Sequence, residues 1–148
     1  MLKRNFKKIL ITGINGSVGS YLAEFILDKK LKNTIYGTHR SNNLSNIKNI
    51  KKKIILKKCD LNDFKKVKNL LTKIKPDLIF HLASDADVRK SFDDPRSFII
   101  NNNNCTLNLL EIIRIKKINP IIIICSTSEV YGDPQKKFID ESIQINPN

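Results

Sequence analysis

KILITGINGSVGSYLAEFIL, residues 8–27, decides the fold. It opens on a short apolar run at Lys8–Thr12, passes three glycines at Gly13, Gly16 and Gly19, and continues with apolar residues at helical spacing. Val18, Tyr21, Leu22, Phe25 and Ile26 fall at i, i+3, i+4, i+7 and i+8, which predicts a helix over Val18–Lys30 with that set as its apolar face. A GxxGxxG turn between strand and helix lets the chain bend tightly, brings backbone N–H groups close to a pyrophosphate and lets the helix pack on the strand. The helix N-terminus adds partial positive charge. The spacing therefore predicts dinucleotide binding at Gly13, Asn15, Gly16, Ser17, Val18 and Gly19, with a plain turn as the alternative.

Working outward, further apolar runs at Thr34–Thr38, Ile54–Lys58, Leu78–Leu82 and Ile121–Cys125 read as strands. Unbroken β-branched runs of this kind, the last of them IIIIC, suit parallel strands buried on both faces. Between them, Asp63 is placed as an N-cap for a helix carrying Phe64, Val67, Leu70, Leu71 and Ile74 and ending before Pro76. A longer helical segment runs from about Pro95 to Lys117. Strand and helix in alternation predict an α/β fold with a doubly wound parallel sheet of the Rossmann type. Residues 42–53 read as a solvated connection with room for one helical turn. No internal repeat or low-complexity linker divides the chain.

At 148 residues and 41% hydrophobic content, the chain suits one domain with a core that needs neither disulfide nor metal. No apolar run approaches the roughly 20 residues of a membrane span. The basic start MLKRNFKK leads into a glycine-rich turn, not a cleavage site, so no targeting signal is read. The net charge of +13 raises the question of nucleic acid, but the lysines are scattered and few aromatics lie among them to stack bases. Nucleic-acid binding is set aside. The positive field still favours a phosphorylated small molecule. Three cysteines without CxxC spacing, and two histidines, support neither a disulfide framework nor a zinc site. A reducing cytoplasm is expected, with Cys59 and Cys125 as small buried hydrophobes.

The loops after the strands carry the chemistry. YGTHRS, residues 36–41, has no carboxylate where an NAD enzyme holds the ribose 2′-OH. Arg40 there can fork onto a 2′-phosphate, with Ser41 beside it, so NADP is favoured over NAD; a solvated surface arginine is the alternative. His81 in IFHLAS reads as structural. In STSEVYGD, residues 126–133, Thr127 can hydrogen-bond a sugar oxygen and Glu129 can take and return a proton. Loop hydroxyls satisfying backbone and a solvated glutamate are the alternative there.

TGINGSVGSYLAEFIL, YGTHRS, CDLND, HLAS, SFDDP, TLNLLE and STSEVYG follow one another in the order found in nucleotide-sugar epimerases and dehydratases. Over essentially its whole length the sequence resembles this NAD-dependent epimerase/dehydratase family of extended short-chain dehydrogenase/reductases. GSYLAEFIL, Arg40 and Thr-Ser-Glu are most similar to its GDP-mannose 4,6-dehydratases. The resemblance implies that Asp60 and Leu61 meet the adenine, that Leu82, Ala83 and Ser84 run beside the nicotinamide ribose, and that an asparagine, Asn102 by alignment, stands behind the active site. For Asp60 a turn residue is the alternative. The resemblance further implies Thr127, Ser128 and Glu129 as catalytic, GDP-mannose as substrate, and a homo-oligomer for the full-length enzyme. In the implied cycle hydride leaves sugar C4, Glu129 removes the C5 proton, water leaves from C6 and hydride returns to C6. Reductase, epimerase and decarboxylase relatives are alternatives, as is a non-catalytic dinucleotide-binding domain. Asp87 stands where the dehydratases usually carry a histidine. Tyr21, Tyr36 and Tyr131 are followed four residues later by Phe25, Arg40 and Gln135, so the family's YxxxK motif does not occur. The expectation is an N-terminal portion that ends before the catalytic tyrosine and the substrate domain.

Overall fold

A computed structural model describes residues 6–133, 135 and 138–147. The first five residues of the basic start and the lysines at 136 and 137 lie outside that set. Five strands, β1 (Lys8–Thr12), β2 (Thr34–His39), β3 (Ile55–Lys58), β4 (Leu78–His81) and β5 (Ile121–Ile124), form one sheet in the order β3-β2-β1-β4-β5. Every pairing is parallel. The order reverses between β1 and β4, and ligands of such sheets bind in the crevice outside the strand carboxyl ends at that switch point.

Helix α1 (Ser17–Asp28) and two 3₁₀ turns, Ser45–Ile47 and Lys51–Lys53, lie in the first connections. Helices α2 (Phe64–Ile74), α3 (Val88–Asp93) and α4 (Pro95–Lys116) lie in the later ones. Two apolar clusters result. Leu10, Leu71, Ile79, Leu109 and Ile112 join the sheet to α2 and α4, while Ile9, Ile11, Ala23, Ile26 and Ile35 join it to α1. Helix starts follow cap chemistry. The Asp63 carboxylate accepts from Lys66 N at 3.0 Å, and the Asp94 carboxylate accepts from Ser97 N at 3.1 Å with Pro95 directly behind it. α4 runs through four asparagines, poor helix formers, because Cys105, Leu109 and Ile112 anchor it in the core.

Four expectations are corrected. The face of α1 is rotated: Gly19, Ser20, Ala23 and Ile26 are buried, whereas Val18, Tyr21 and Phe25 are exposed. Small residues let α1 lie close on the sheet, and close packing outweighs the larger apolar set. β5 is mostly exposed, because β4 is its one strand neighbour among the described residues. Cys125, just beyond β5, is exposed too, while Cys59 and Cys105 are buried. The 42–53 connection is not simply solvated, since Ile47 and Ile50 enter the core beside α1.

The cysteines give a direct check on this burial. Burial, and then the nearby Asp60 and Asp63 carboxylates, push the Cys59 thiol up to about 11, and burial likewise raises Cys105. Both stay protonated and covered at neutral pH. Brief treatment of the folded chain with iodoacetamide is expected to alkylate Cys125 alone, with all three modified in denaturant. Native labelling of Cys59 at the rate of Cys125 would contradict the core described here.

Candidate dinucleotide and substrate clefts

All the strand carboxyl ends contribute to one edge of the sheet, and two adjoining clefts open there. The first, about 250 Å³, is walled by Gly13, Asn15 and Gly16 after β1, Arg40 and Ser41 after β2, Asp60 and Leu61 after β3, and Leu82–Asp85 after β4. Gly13 has φ +67°, and a Cβ there would lie 2.9 Å from Ala83 Cα, so the turn and the β4 loop approach too closely for a side chain. Gly16 N donates to Gly13 O at 2.9 Å and Gly16 opens α1 without a side-chain cap, which leaves the first-turn N–H groups to a phosphate. Gly19 is buried against the same turn. Ser17 and Val18 occupy that first turn exposed, and neither lines the first cleft. Asn15 ties the turn to the β2 loop through Nδ2, which donates to Ser41 Oγ at 3.1 Å and Asn43 O at 2.9 Å.

The opposite wall is held by a buried chain of hydrogen bonds. Strand register sets Thr12 beside His81, whose Nδ1 is 2.8 Å from Thr12 Oγ1. That oxygen also accepts from Leu82 N and Ala83 N, each at 3.1 Å. With both lone pairs taken, its hydrogen goes to Nδ1, so His81 is neutral with its proton on Nε2. Nε2 then donates to Thr106 Oγ1 at 3.1 Å, and Thr106 donates to Asn102 O at 3.2 Å. Burial lowers the His81 pKa, which agrees with the neutral ring. Asn102 grips the backbone of Asp85 at both ends, accepting from Asp85 N at 2.8 Å and donating to Asp85 O at 3.0 Å. The four asparagines thus separate: Asn102 fixes the β4 loop, while Asn101 accepts from Arg40 Nη1 at 3.2 Å and from Asn62 Nδ2 at 2.6 Å. On α4, Asn108 donates to Leu61 O at 2.8 Å and Asn62 O at 3.1 Å, steadying the β3 loop.

Arg40 is not unpartnered. Its Nη2 lies 2.8 Å from the Asp85 carboxylate, a contact 45 residues away in sequence and invisible there.

The second cleft, about 810 Å³, continues past Leu82, Ala83 and Ser84, between α3, α4 and the end of β5. Ser126 and Thr127 line it. Thr127 Oγ1 accepts from Glu129 N at 3.2 Å and so caps a 3₁₀ turn, Ser128–Tyr131, on which Ser128 and Glu129 are exposed and outside the lining of that cleft. Asp87, which also lines it, caps α3 by accepting from Lys90 N at 3.2 Å. That bond, and then the Lys90 ammonium, hold its carboxyl below the usual range. α3 itself had no distinct sequence signal.

A family model described as GDP-mannose 4,6 dehydratase matches residues 10–148. GDP-mannose 4,6-dehydratase of Vibrio cholerae is 34% identical over 145 residues, covering 88% of this chain and 39% of that relative. The UDP-Glc/GlcNAc 4-epimerase structure from Campylobacter jejuni superposes with a TM-score of 0.84 at 29% identity, over 96% of this chain and 44% of that one. A UDP-glucose 4-epimerase from Brucella ovis, solved in complex with NAD, shares the fold at 23% identity with a TM-score of 0.81, over 96% of this chain and 42% of that one. The chain spans about two fifths of the length of these proteins. The glycine turn, the switch-point cleft and these likenesses agree: the chain belongs to the GDP-mannose 4,6-dehydratase family of nucleotide-sugar enzymes.

Proposed function

We propose that the chain is the NADP-binding part of a nucleotide-sugar 4,6-dehydratase acting on GDP-mannose. Arg40 carries the cofactor half of this reading. It stands at the mouth of the first cleft beside Ser41, on a β2 end that offers no carboxylate to a ribose 2′-OH. The cleft suits the group in other respects. The uncapped first-turn N–H groups of α1, which follow Gly16, meet the pyrophosphate, Asp60 and Leu61 wall the adenine end, and Leu82–Ser84 wall the end shared with the second cleft. NADP when bound supplies the acceptor and donor of hydride. Thr127 holds the sugar C4 oxygen, and Glu129 takes the C5 proton as the sugar fills the second cleft. Without a YxxxK tyrosine to deprotonate the C4 hydroxyl, the 148-residue chain binds cofactor and turns over GDP-mannose negligibly. A nucleotide-sugar epimerase is the second reading, favoured by Glu129 standing outside the cleft lining.

Titration of NADP+ and NAD+ against the purified chain tests the cofactor assignment. The wild type is expected to prefer NADP+. Arg40→Ala should weaken NADP+ by about tenfold or more, the worth of a charge-assisted contact, and leave NAD+ little changed. Equal affinities in the wild type would remove NADP from the reading, and appreciable 4-keto sugar formation by the chain would remove the negligible-turnover claim.

A further inference from the structure

The Arg40–Asp85 pair has a consequence for specificity, which rests on the NADP reading above. Arg40 belongs to the β2 end and Asp85 to the β4 loop, and both line the first cleft. The pair is built, not incidental. Asn102 clamps the Asp85 backbone from both sides, and Asn101 accepts a second guanidinium hydrogen bond, so donor and acceptor are both held in place. The pair is nonetheless open to solvent, with side-chain exposures of 56% for Arg40 and 33% for Asp85, so an incoming anion can reach the guanidinium.

We infer that Asp85 is a specificity-determining residue, an internal carboxylate that occupies Arg40 in place of the 2′-phosphate and lowers the preference of the cleft for NADP over NAD. Asp85 takes the Nη2 donor of Arg40, a donor that a 2′-phosphate would also use, so the two anions compete for it. NADP must displace Asp85 and then sit near its negative charge. NAD has no 2′-phosphate, leaves the pair intact and gains nothing from breaking it. Asp85 thus lowers the affinity of one cofactor and not the other.

The experiment measures NADP+ and NAD+ affinities for wild type, Asp85→Asn, Asp85→Ala, Arg40→Ala and the Arg40→Ala/Asp85→Asn double variant. Asp85→Asn and Asp85→Ala are expected to tighten NADP+ about threefold, in keeping with an exposed ion pair, and to leave NAD+ within about 1.5-fold. The loop survives both changes because Asn102 holds main-chain atoms of residue 85. In the Arg40→Ala background the Asp85→Asn gain is expected to shrink to what relief of charge repulsion alone provides. Unchanged NADP+ affinity in both Asp85 variants, an equal gain for NAD+, or a gain undiminished without Arg40 would overturn the role of Asp85 while leaving the NADP reading standing. An Arg40→Ala variant that binds NADP+ as well as wild type would overturn both.

Discussion

Gly19→Ala is expected to destabilise the chain by about 3 kcal/mol and to abolish dinucleotide binding, although it adds one methyl group to a helix. An alanine ordinarily favours a helix interior over glycine by about 1 kcal/mol, so the propensity term acts in the opposite direction. Contact decides the sign. A Cβ at position 19 would lie 2.5 Å from Gly13 O and 2.8 Å from Ile14 Cα, both main-chain atoms of the glycine turn. No rotamer change relieves that overlap. α1 must lift from the turn, which separates the N–H groups at its start from the first cleft and loosens Ala23 and Ile26 from the sheet. Gly16→Ala makes the control, because its Cβ would meet Gly13 O at 3.2 Å with an ordinary φ of −73°. Its expected cost is about 1 kcal/mol or less, within the range of ordinary substitutions. Chemical denaturation of the three proteins, with NADP+ titration in parallel, separates the two cases. A Gly19→Ala chain as stable as Gly16→Ala would show that the turn and helix are not packed as described.

That same close approach explains what could be read in advance and what could not. The strand–turn–helix order, the parallel sheet and the Asp63 cap are local features. They depend on glycine spacing, β-branched runs and a side chain reaching three residues onward, and the structure has each of them within a residue or two. The buried face of α1 departs from its periodicity because periodicity counts large apolar side chains, whereas a helix resting on a glycine turn buries its smallest residues. An isoleucine run such as β5 implies burial, yet burial depends on neighbours that a run does not specify. In the candidate site, the residues facing the cleft from the strand ends were legible as motifs. The residues that hold them were not. Arg40 meets Asp85, Asn62 meets Asn101, and Leu61 meets Asn108 across separations of 39 to 47 residues, through side chains with no spacing rule. The place of His81 before a small-residue turn points to a structural histidine, and its hydrogen bonds to Thr12 and Thr106 agree.

Thr12→Val carries the other large effect, and it arises from hydrogen bonding alone. The two side chains have nearly the same shape, but the hydroxyl of Thr12 satisfies Leu82 N, Ala83 N and His81 Nδ1 at once. Among the described residues no buried side-chain nitrogen or oxygen lacks a partner, so valine introduces a defect where none exists. Each orphaned buried group costs about 1–3 kcal/mol, and three partly buried groups together give an expected loss of about 3 kcal/mol. For a chain of this size that is a fall in Tm of about 6–12 °C. Cofactor binding should weaken with it, because Leu82–Ala83 form a wall of the first cleft. Thr12→Ser keeps the hydroxyl and should recover most of the loss, which separates hydrogen bonding from packing.

The same network sets a pH dependence. Burial lowers the His81 pKa below its ordinary value of about 6.5, so the unfolded chain takes up a proton before the folded one does. The His81 contribution to stability is therefore complete above about pH 6.5 and is lost as pH falls from there through the lower folded-state value. Protonation also places an N–H against the Thr12 hydroxyl, whose hydrogen must then turn away and leave Nδ1–H competing with Leu82 N and Ala83 N for the same oxygen. Carboxyls held below their usual range, among them Asp63, Asp87 and Asp94, act on stability in a more acidic window. Melting curves between about pH 7 and pH 5 thus isolate the histidine. Wild type is expected to lose stability steadily across that range, and His81→Asn, less stable at neutral pH, to show a flatter slope. Parallel slopes for the two proteins would mean that His81 is not the buried neutral ring that holds the β4 loop.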